Sequence, residues 1–482
     1  MADVRPMFIA GQWKDGAECD HGDIINPASE ASVGRVALAA PADVEEAIDA
    51  AGRALPRWRE TPVGRRAMIL RRAAAILTNL REPSARALTS EQGKTRHESR
   101  QEYDRAIETL LWHANVGPQM VRAGSGSRSG YTVKPEPIGV VGAFIPWNYP
   151  AVIAARKVAA ALIAGCSVVL KGSEAAPSAA VHLVRALNEA GLPPGVLNLV
   201  FGDPAPIADA ILASPVVRAV SFTGSTAVGR HLGQRAAAAF KRSVLELGGH
   251  APVVVCADAD LDAAVAAVAA YKFECAGQSC NAPSRVYVEA PAYERFVDLF
   301  SDAAGRVRVG DGALPATEMG PLANPRRLEA MRRLTDDAVS RGGRVLCGGA
   351  RLAGVGYFWP PTVLTDVPDT AAVMTEEPFG PLLPISHCAS CDEAIERANA
   401  SAYGLAAYVF TRSPATADRA ASRLEAGSVG INQMCGVPPD VGIAGIKDSG
   451  YGYEGGRPGI EAFLNMKVVA CNGNLDAHKV QP

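Results

Sequence analysis

The sequence has no large surplus of either charge and no long hydrophobic run. Its 482 residues carry 48 lysines and arginines against 50 aspartates and glutamates, a net charge of −2. This balance does not favour a nucleic acid or an anionic membrane as a partner. Arg156 and Lys157 interrupt the most apolar stretch, 152–170, so we expect no membrane span. The N-terminal residues contain no apolar segment typical of a secretory signal.

Cysteine and histidine are both scarce. Ten irregularly spaced cysteines exclude the dense disulfide framework of small secreted proteins and predict a reducing, cytoplasmic location. One CxxC pair, Cys388 and Cys391, has no second pair at zinc-binding spacing, so we predict no metal site. The sequence contains eight histidines, which limits the choice of base for a catalytic thiol.

Short β-branched runs alternate with alanine-rich amphipathic stretches, in a chain long enough for two or three domains. This alternation predicts an α/β fold with a parallel, doubly wound sheet, which binds ligands at the carboxyl ends of its strands. A second α/β region is predicted after residues 246–250. The predicted strands are 139–145, 166–171, 196–202 and 218–224, and the predicted helices are 41–54, 150–164, 176–191 and one that follows Ser225.

Helix 41–54 is predicted to begin with Asp43 as its N-cap, with Glu46 completing a capping box. Two other segments lie outside the alternation. Residues 124–137 are rich in glycine and serine and predict a loop or a projecting hairpin. Residues 462–473 predict an apolar edge strand, and such a strand at a chain end needs a partner. We therefore expect an oligomer.

The stretch FECAGQSCNA (273–282) contains two thiols. Gly277 ahead of Cys280 indicates a tight turn that presents this sulfur to a cleft, whereas Cys275 has no such glycine and is interpreted as structural. A nucleophilic thiol must lose its proton, and no histidine lies within twenty residues of Cys280. Glu246, flanked by leucines that would exclude water, is the candidate base, and a salt bridge at a strand end is its alternative.

Polar residues follow the predicted strands. Asn148 could cap the next helix or donate its amide N–H to an oxyanion, and Trp147 could line a pocket or belong to the core. Gly224 and Ser225 open a helix whose N-terminus could bind a pyrophosphate.

Lys171 and Glu174 follow another predicted strand. An acid near an adenosine ribose would accept hydrogen bonds from its hydroxyls and repel a 2′-phosphate. Taken alone, each of these two residues is also compatible with a solvated charge at a strand end.

Eight motifs follow one another along the chain: PWNYP (146–150), KGSE (171–174), FTGS (222–225), ELGG (246–249), GQSC (277–280), EEPFGP (376–381), NASAYGLAAYVFT (399–411) and GIKDSGYGYEGG (445–456). In this order they resemble the aldehyde dehydrogenase superfamily over essentially the whole chain, and most closely its succinate-semialdehyde dehydrogenase group. The resemblance implies a Rossmann-like NAD-binding domain (1–117 and 138–247), an α/β catalytic domain (248–448), and a small β oligomerisation arm and tail (118–137 and 462–482).

The resemblance implies NAD-dependent oxidation of an aldehyde to a carboxylic acid. Cys280 would attack the aldehyde carbon, and Asn148 with the backbone N–H of Cys280 would hold the oxyanion of the thiohemiacetal. Glu246 would activate the thiol or the water that hydrolyses the thioester, and Lys157 and Glu454 would relay the proton. Transfer of the acyl group to CoA is the rival reaction, and Glu246 argues against it because CoA transfer needs no base for water.

NAD is the implied cofactor, with NADP left open, since Glu174 favours NAD. The resemblance implies that Lys171 and Glu174 contact the adenosine ribose and that Gly224 and Ser225 bind the pyrophosphate. Glu377 and Phe379 would contact the nicotinamide riboside. The full set of implied cofactor residues is Ile145, Pro146, Trp147, Lys171, Ser173, Glu174, Phe222, Gly224, Ser225, Leu247, Glu377 and Phe379.

The implied partners are a small aldehyde and further copies of the chain, as a homodimer or homotetramer. Arg156 matches an arginine that holds the distal carboxylate of a semialdehyde in the similar group. The second arginine of that group is replaced by Glu274, its serine aligns with Val437, and the cysteine two positions after its nucleophile is Ala282.

Glu274 could repel a carboxylate, pair with Arg156, or favour an amino or hydroxyl group on the substrate. The resemblance implies succinic semialdehyde or a related semialdehyde as the substrate. Amino-, hydroxy- and aromatic aldehydes are the alternatives.

Overall fold

A computed structural model describes residues 4–121 and 131–470. Two large sheets, each covered by helices, organise this part of the chain. None of the helices in the described ranges is both long and apolar enough to cross a lipid bilayer. The helices are Pro41–Arg59, Val63–Gln92, Arg96–Met120, Pro150–Ala164, Pro177–Glu189, Pro204–Ala213, Thr226–Ala238, Leu261–Phe273, Ala290–Arg306, Pro325–Ser340, Ala372–Thr375, Cys391–Asn399, Pro414–Arg423 and Gly456–Glu461.

The first sheet has eight strands and holds the predicted doubly wound arrangement. Its five central strands pair in parallel, and antiparallel strands close both sides. Helices on both faces explain why the central strands are almost continuously buried. In spatial order the strands are Gly450–Tyr451, Arg242–Glu246, Val217–Thr223, Val140–Phe144, Ser167–Lys171, Leu197–Val200, Met7–Ile9 and Gln12–Lys14.

The second sheet has seven strands, and all of its neighbouring strands pair in parallel except for one antiparallel pair at an edge. Each large sheet lies in its own hydrophobic cluster, one formed mainly before residue 248 and the other between 251 and 424. We keep the domain boundaries given above as a proposal. The strands in spatial order are Arg344–Cys347, Thr362–Thr365, Leu382–Cys388, Pro283–Glu289, Ala251–Val255, Ala406–Phe410 and Ser428–Ile431.

Three small sheets complete the described structure. Strand Leu464–Ala470 pairs in antiparallel register with Tyr131–Pro137, so the expected edge strand and the end of the expected hairpin form one two-stranded arm. Residues 122–130 and 471–482, which include parts of both predicted segments, lie outside the described residues. The other small sheets join Tyr403–Gly404 to Ile446–Lys447, and Val4–Arg5 to Ser32–Ala37 and His21–Ile25.

The predicted N-cap at Asp43 is wrong. The helix begins two residues earlier at Pro41, because proline fits the first helical position, where its missing N–H is not needed. Asp43 is instead the third helical residue. Its carboxylate accepts the backbone N–H of Ala40 at 2.9 Å, which is the reciprocal part of a capping box.

Candidate active site

The candidate site lies where the first sheet reverses its winding direction. Strands Val140–Phe144 and Val217–Thr223 are neighbours, and the chain proceeds from them towards opposite sides of the sheet. Their carboxyl ends lead into Asn148 and the Gly224 turn, as the sequence predicted. A cavity of about 370 Å³ opens beside them, and Asn148, Arg156, Glu246, Glu274 and Cys280 contribute to its wall.

Cys280 and Glu246 meet directly in this cavity. Glu246 ends the strand Arg242–Glu246, and the half-buried Cys280 thiol donates a hydrogen bond to its carboxylate at 3.2 Å. Burial and the neighbouring Glu246 charge raise the pKa of Cys280 well above its usual value. The raised pKa favours the protonated thiol, whose hydrogen-bond partner is Glu246.

The backbone before Cys280 is contorted. Cys275 and Ala276 have φ values of +52°, and Gly277 follows at +72°. A Cβ atom on Gly277 would lie 2.4 Å from the carbonyl oxygen of Gly380, so only glycine fits. On the other side of the nucleophile, a Cβ atom on Gly249 would lie 2.0 Å from the carbonyl oxygen of Cys280. These close approaches hold the nucleophile against the ELGG segment, and they explain the glycines of both motifs.

Cys275 belongs to a separate buried cluster. Its sulfur receives a hydrogen bond from the Gln92 amide at 3.2 Å, and its backbone N–H donates to Glu98 at 2.8 Å. Burial raises the pKa of Cys275 to about 12. These contacts support the structural interpretation of this thiol.

Asn148 does not cap the following helix. Tyr149 is the N-cap residue and makes no side-chain cap, whereas the Asn148 amide nitrogen donates to the carbonyl of Gln278 at 3.0 Å. A primary amide has two N–H groups, so one hydrogen remains for a ligand beside Cys280. The carbonyl of Asn148 accepts a hydrogen bond from the buried Lys94 ammonium at 2.6 Å, which fixes the turn from below.

A chain of polar groups leads from Glu246 into the protein. The Thr223 hydroxyl lies 3.1 Å from Glu246 and 3.2 Å from Glu454. Glu454 in turn forms an ion pair with Lys157, whose ammonium donates to Ser221 at 2.9 Å. All of these side chains are buried, so the polar chain is shielded from bulk water.

Thr223 and Ser221 were not predicted from the sequence. A signal was available, because residues two apart on a strand face the same side, and two hydroxyl residues alternate in the otherwise apolar segment AVSFT. Burial lowers the pKa of Lys157 to about 7, which gives the far end of the chain a group that can exchange a proton near neutral pH.

The edge predicted to bind adenosine ribose and pyrophosphate is open and polar. The Glu174 carboxylate accepts hydrogen bonds from Lys171 at 2.8 Å and from the backbone N–H of Gly202 at 2.7 Å. Ser225 is exposed and is the N-cap of helix Thr226–Ala238, whose first turn has no side-chain cap. Its free N–H groups suit a phosphate, so these residues fit a dinucleotide.

The predicted nicotinamide residues include Glu377, which lies against the ELGG segment (246–249). Glu377 accepts the backbone N–H of Gly249 at 2.9 Å, and burial raises its pKa to about 7. The Phe379 ring packs edge-on against Trp147, with the ring centres 5.5 Å apart. Trp147 therefore contacts a predicted cofactor residue. The backbone of Phe379 has a φ of +45°, which is uncommon for a residue other than glycine.

The remaining predicted cofactor residues support this edge through the backbone or through packing. Ile145 donates its N–H to the carbonyl of Lys171 at 3.2 Å, and Ser173 is buried. Phe222 lies under the Gly224 turn, and Leu247 packs under Gly229 of the next helix. Pro146, between Ile145 and Trp147, is half-buried. Among residues 4–121 and 131–470 no cluster of three or more potential metal ligands occurs.

Arg156 lies in the cavity wall and is 8% exposed. One terminal nitrogen donates to the backbone carbonyl of Val437 at 2.6 Å, so Val437 contributes its main chain where the similar group has a serine. The Nε atom of Arg156 is buried and has no partner among the described residues. A buried unpaired donor is costly, and a ligand acceptor would satisfy it.

Glu274 pairs with an arginine that was not predicted. The Arg105 guanidinium lies 3.3 Å from its carboxylate, and the Tyr149 hydroxyl donates to the same oxygen at 3.1 Å. The expectation that Glu274 could pair with Arg156 is therefore wrong: helix Arg96–Met120 brings Arg105 to it instead. Glu274 and Arg105 both line the cavity. No sequence signal distinguished Arg105 from the other surface arginines of its helix.

A mostly parallel sheet with a dinucleotide-compatible edge, and a thiol in contact with a glutamate at its switch point, are typical of an oxidoreductase. The aldehyde dehydrogenase family model matches residues 13–469, and the chain belongs to this family.

Among its relatives, the 4-(hydroxymethyl)benzenesulfonate dehydrogenase of Comamonas testosteroni is 42% identical over 466 residues, covering 96% of this chain and 97% of the relative. The NADP-dependent succinate-semialdehyde dehydrogenase of Escherichia coli is 38% identical and covers 97% of this chain and 98% of its own. The crystal structure of succinate-semialdehyde dehydrogenase from Burkholderia pseudomallei superposes with a TM-score of 0.94 at 38% identity, covering 97% of this chain and 98% of that one. The predicted fold and the resemblance to this group are confirmed.

Proposed function

We propose that the protein oxidises an aldehyde with a distal anionic group to the carboxylic acid, using NAD and a thioester on Cys280. The observation that carries this proposal is the 3.2 Å contact between the Cys280 thiol and Glu246 in a cavity that also holds Asn148. A soft nucleophile, a base in contact with it and a fixed N–H donor are the groups that acyl transfer through a thioester requires.

In the first step Glu246 takes the thiol proton as the sulfur of Cys280 bonds to the aldehyde carbon. The carbonyl oxygen becomes an oxyanion, held by the free N–H of Asn148 and the backbone N–H of Cys280. NAD, when bound, supplies the acceptor for the hydride that leaves this carbon. Glu246 must lose its proton before it can act again, and Thr223 connects it to Glu454 for this purpose.

In the last step Glu246 takes a proton from water, whose oxygen bonds to the thioester carbon. The C–S bond breaks, and Cys280 recovers its proton as the acid leaves. Water as the acyl acceptor distinguishes this proposal from transfer to CoA. We expect added CoA to change neither the rate of NADH formation nor the product, and an acyl-CoA product would contradict the proposal.

We propose NAD as the preferred cofactor because the Glu174 carboxylate lies at the predicted ribose edge, where it would repel a 2′-phosphate. The Escherichia coli relative is named for NADP, so preference must be measured on this chain. Glu174→Gln should lower the ratio of kcat/KM with NAD to kcat/KM with NADP. An unchanged ratio would show that Glu174 does not determine the preference for NAD over NADP.

We propose a carboxylate or sulfonate as the distal group because two guanidinium groups face the cavity. Arg156 offers a buried unpaired Nε. Burial lowers the pKa of Arg156, and the charge of Arg105 adds a smaller effect in the same direction, so Arg105 lies within electrostatic range. A planar guanidinium suits an anion with two or more oxygens. The names of the two curated relatives above point to a benzenesulfonate and a semialdehyde, which fit this chemistry.

A substrate panel tests the distal anion with matched neutral aldehydes. Succinic semialdehyde is compared with butanal, and 4-formylbenzenesulfonate with benzaldehyde. Loss of one hydrogen bond to a charged group costs about 1.5–3 kcal/mol, so Arg156→Gln should raise KM for the anionic aldehydes roughly 10- to 150-fold and leave the neutral ones nearly unchanged. Equal effects on both aldehydes of a pair would refute the anion-binding role.

We also propose that the arm formed by Tyr131–Pro137 and Leu464–Ala470 joins copies of the chain into a homodimer or homotetramer. Its apolar side chains are unusually exposed: Tyr131, Val133, Met466 and Val468 are 49%, 43%, 56% and 62% accessible in the single chain. Clusters of exposed apolar residues on a short two-stranded sheet indicate a covered surface. The cytoplasmic location predicted from the cysteines stays a prediction.

A further inference from the structure

Two thiols far from Cys280 lie almost in bonding contact. Cys256 follows the strand Ala251–Val255, and Cys391 is the first residue of the helix Cys391–Asn399. Their sulfur atoms are 2.8 Å apart, and the residues are only 3% and 8% exposed. A disulfide bond requires about 2.05 Å, so closing the gap takes less than about one ångström.

The pair and the nucleophile lie at opposite ends of two neighbouring strands of the second sheet. Cys280 precedes the strand Pro283–Glu289, whereas Cys256 follows the neighbouring parallel strand at its carboxyl end. A change at the pair therefore occurs at a distance from the catalytic groups. The CxxC segment noted in the sequence contributes only one of the two partners, because Cys391 contacts Cys256 and not Cys388.

The environment gives the two sulfurs different roles. The Cys256 thiol donates to the Cys391 sulfur, and this hydrogen bond lowers the pKa of Cys391 and raises the pKa of Cys256. Cys391 also lies in the first turn of its helix, where partial positive charge favours a thiolate. Burial acts against the thiolate, and so, more weakly, does the charge of Glu289, which accepts the backbone N–H of Ala257 at 2.7 Å. Cys391 is thus the attacking sulfur, and Cys256 is the resolving one.

We propose that Cys256 and Cys391 form a reversible disulfide when the protein meets hydrogen peroxide. The Cys391 thiolate attacks one peroxide oxygen, the O–O bond breaks, and the departing hydroxide takes a proton to become water. The Cys256 thiol then attacks the Cys391 sulfur, its proton leaves with the sulfenic oxygen, and a second water is released. Two thiols lose two electrons and two protons in total, and the peroxide is reduced to two waters.

Peptide mapping of the full-length enzyme tests the proposal. The protein is treated with hydrogen peroxide, alkylated in denaturant, digested without reductant and analysed by mass spectrometry. We expect a cross-linked peptide that joins Cys256 to Cys391, lighter by two hydrogen atoms than the separate peptides and released by dithiothreitol. Cys256→Ser should abolish it and Cys388→Ser should retain it. Full alkylation of Cys256 and Cys391 after peroxide treatment, or a link to Cys388, would overturn the proposal.

Thermal unfolding provides a second readout. The link would close a loop across 135 positions of the chain, so the oxidised protein should melt at a higher temperature than the reduced protein. The shift should be absent in Cys256→Ser, and reduced Cys256→Ser should keep the activity of the reduced wild type. A melting shift of equal size in Cys256→Ser would assign the effect to another thiol.

Discussion

Thr223→Val tests whether the buried hydroxyl carries the proton away from Glu246. Valine keeps the shape of threonine but has no hydroxyl, so the change separates Glu246 from Glu454 with little change in volume. A hydroxyl has one proton and cannot donate to two carboxylates at once. The hydroxyl oxygen lies 3.1 Å from Glu246 and 3.2 Å from Glu454. Either one of the two carboxyl groups is therefore protonated and donates to the hydroxyl, or the hydroxyl proton alternates between them. Either state can relay a proton.

The magnitude follows from the contact that is lost. A hydrogen bond to a charged group contributes about 1.5–3 kcal/mol. If that amount is lost only when Glu246 must release or accept its proton, the hydrolysis step slows roughly 10- to 150-fold. The first turnover should change less, because Cys280 reaches Glu246 directly at 3.2 Å.

Rapid mixing separates the two steps. The first turnover is recorded as NADH formation, and thioester decay is followed by acid quench and mass spectrometry of the protein. We expect Thr223→Val to accumulate the thioester and Thr223→Ser, which keeps the hydroxyl, to behave like the wild type. Equal slowing of both steps, or thioester decay at the wild-type rate, would refute the relay.

Three further outcomes are expected. Glu246→Gln keeps the shape of the side chain but accepts no proton, so kcat for NADH formation should fall about 10²- to 10⁴-fold. Burial lowers the pKa of Lys272 to about 7, so between pH 7 and the usual lysine pKa the unfolded chain binds one proton more than the folded chain. The free energy of unfolding in urea should therefore rise with pH above 7, by about 1.4 kcal/mol per pH unit at most, relative to Lys272→Met. Val468→Lys should reduce the molar mass in light scattering, and the exposed Val355→Lys should not.

The elements around the site were predictable because local signals and tertiary packing agree there. The predicted helix 150–164 is the observed Pro150–Ala164, since proline suits its first position and Gly165 ends it with a φ of +97°. The predicted strands differ from the observed ones by one or two residues at their ends. The long helices Val63–Gln92 and Arg96–Met120 were not predicted, and their apolar residues carry a weaker pattern with proline inside each helix.

The reacting groups were predictable for a different reason. Short motifs contain Cys280, Glu246 and Asn148. Close contacts require glycine in two of these motifs, for example where the Cys280 carbonyl approaches Gly249. Thr223 belongs to one of those motifs, but its role depends on Glu454, which is 231 positions away. Contacts of that range arise from tertiary packing, and no local pattern encodes them.

The substrate end of the cavity shows why aligned positions can mislead about chemistry. Glu274 stands where the similar group has a second arginine, which from the sequence alone argued against an anionic substrate. In the structure a guanidinium lies beside Glu274 all the same, because Arg105 reaches its carboxylate from another helix at 3.3 Å. The acid positions this arginine, and Tyr149 shares the same carboxylate oxygen. The cavity therefore keeps two arginines although the sequence position lost one. Glu274→Gln should consequently weaken binding of an anionic aldehyde, whereas an acid that merely repelled the substrate would strengthen binding when neutralised.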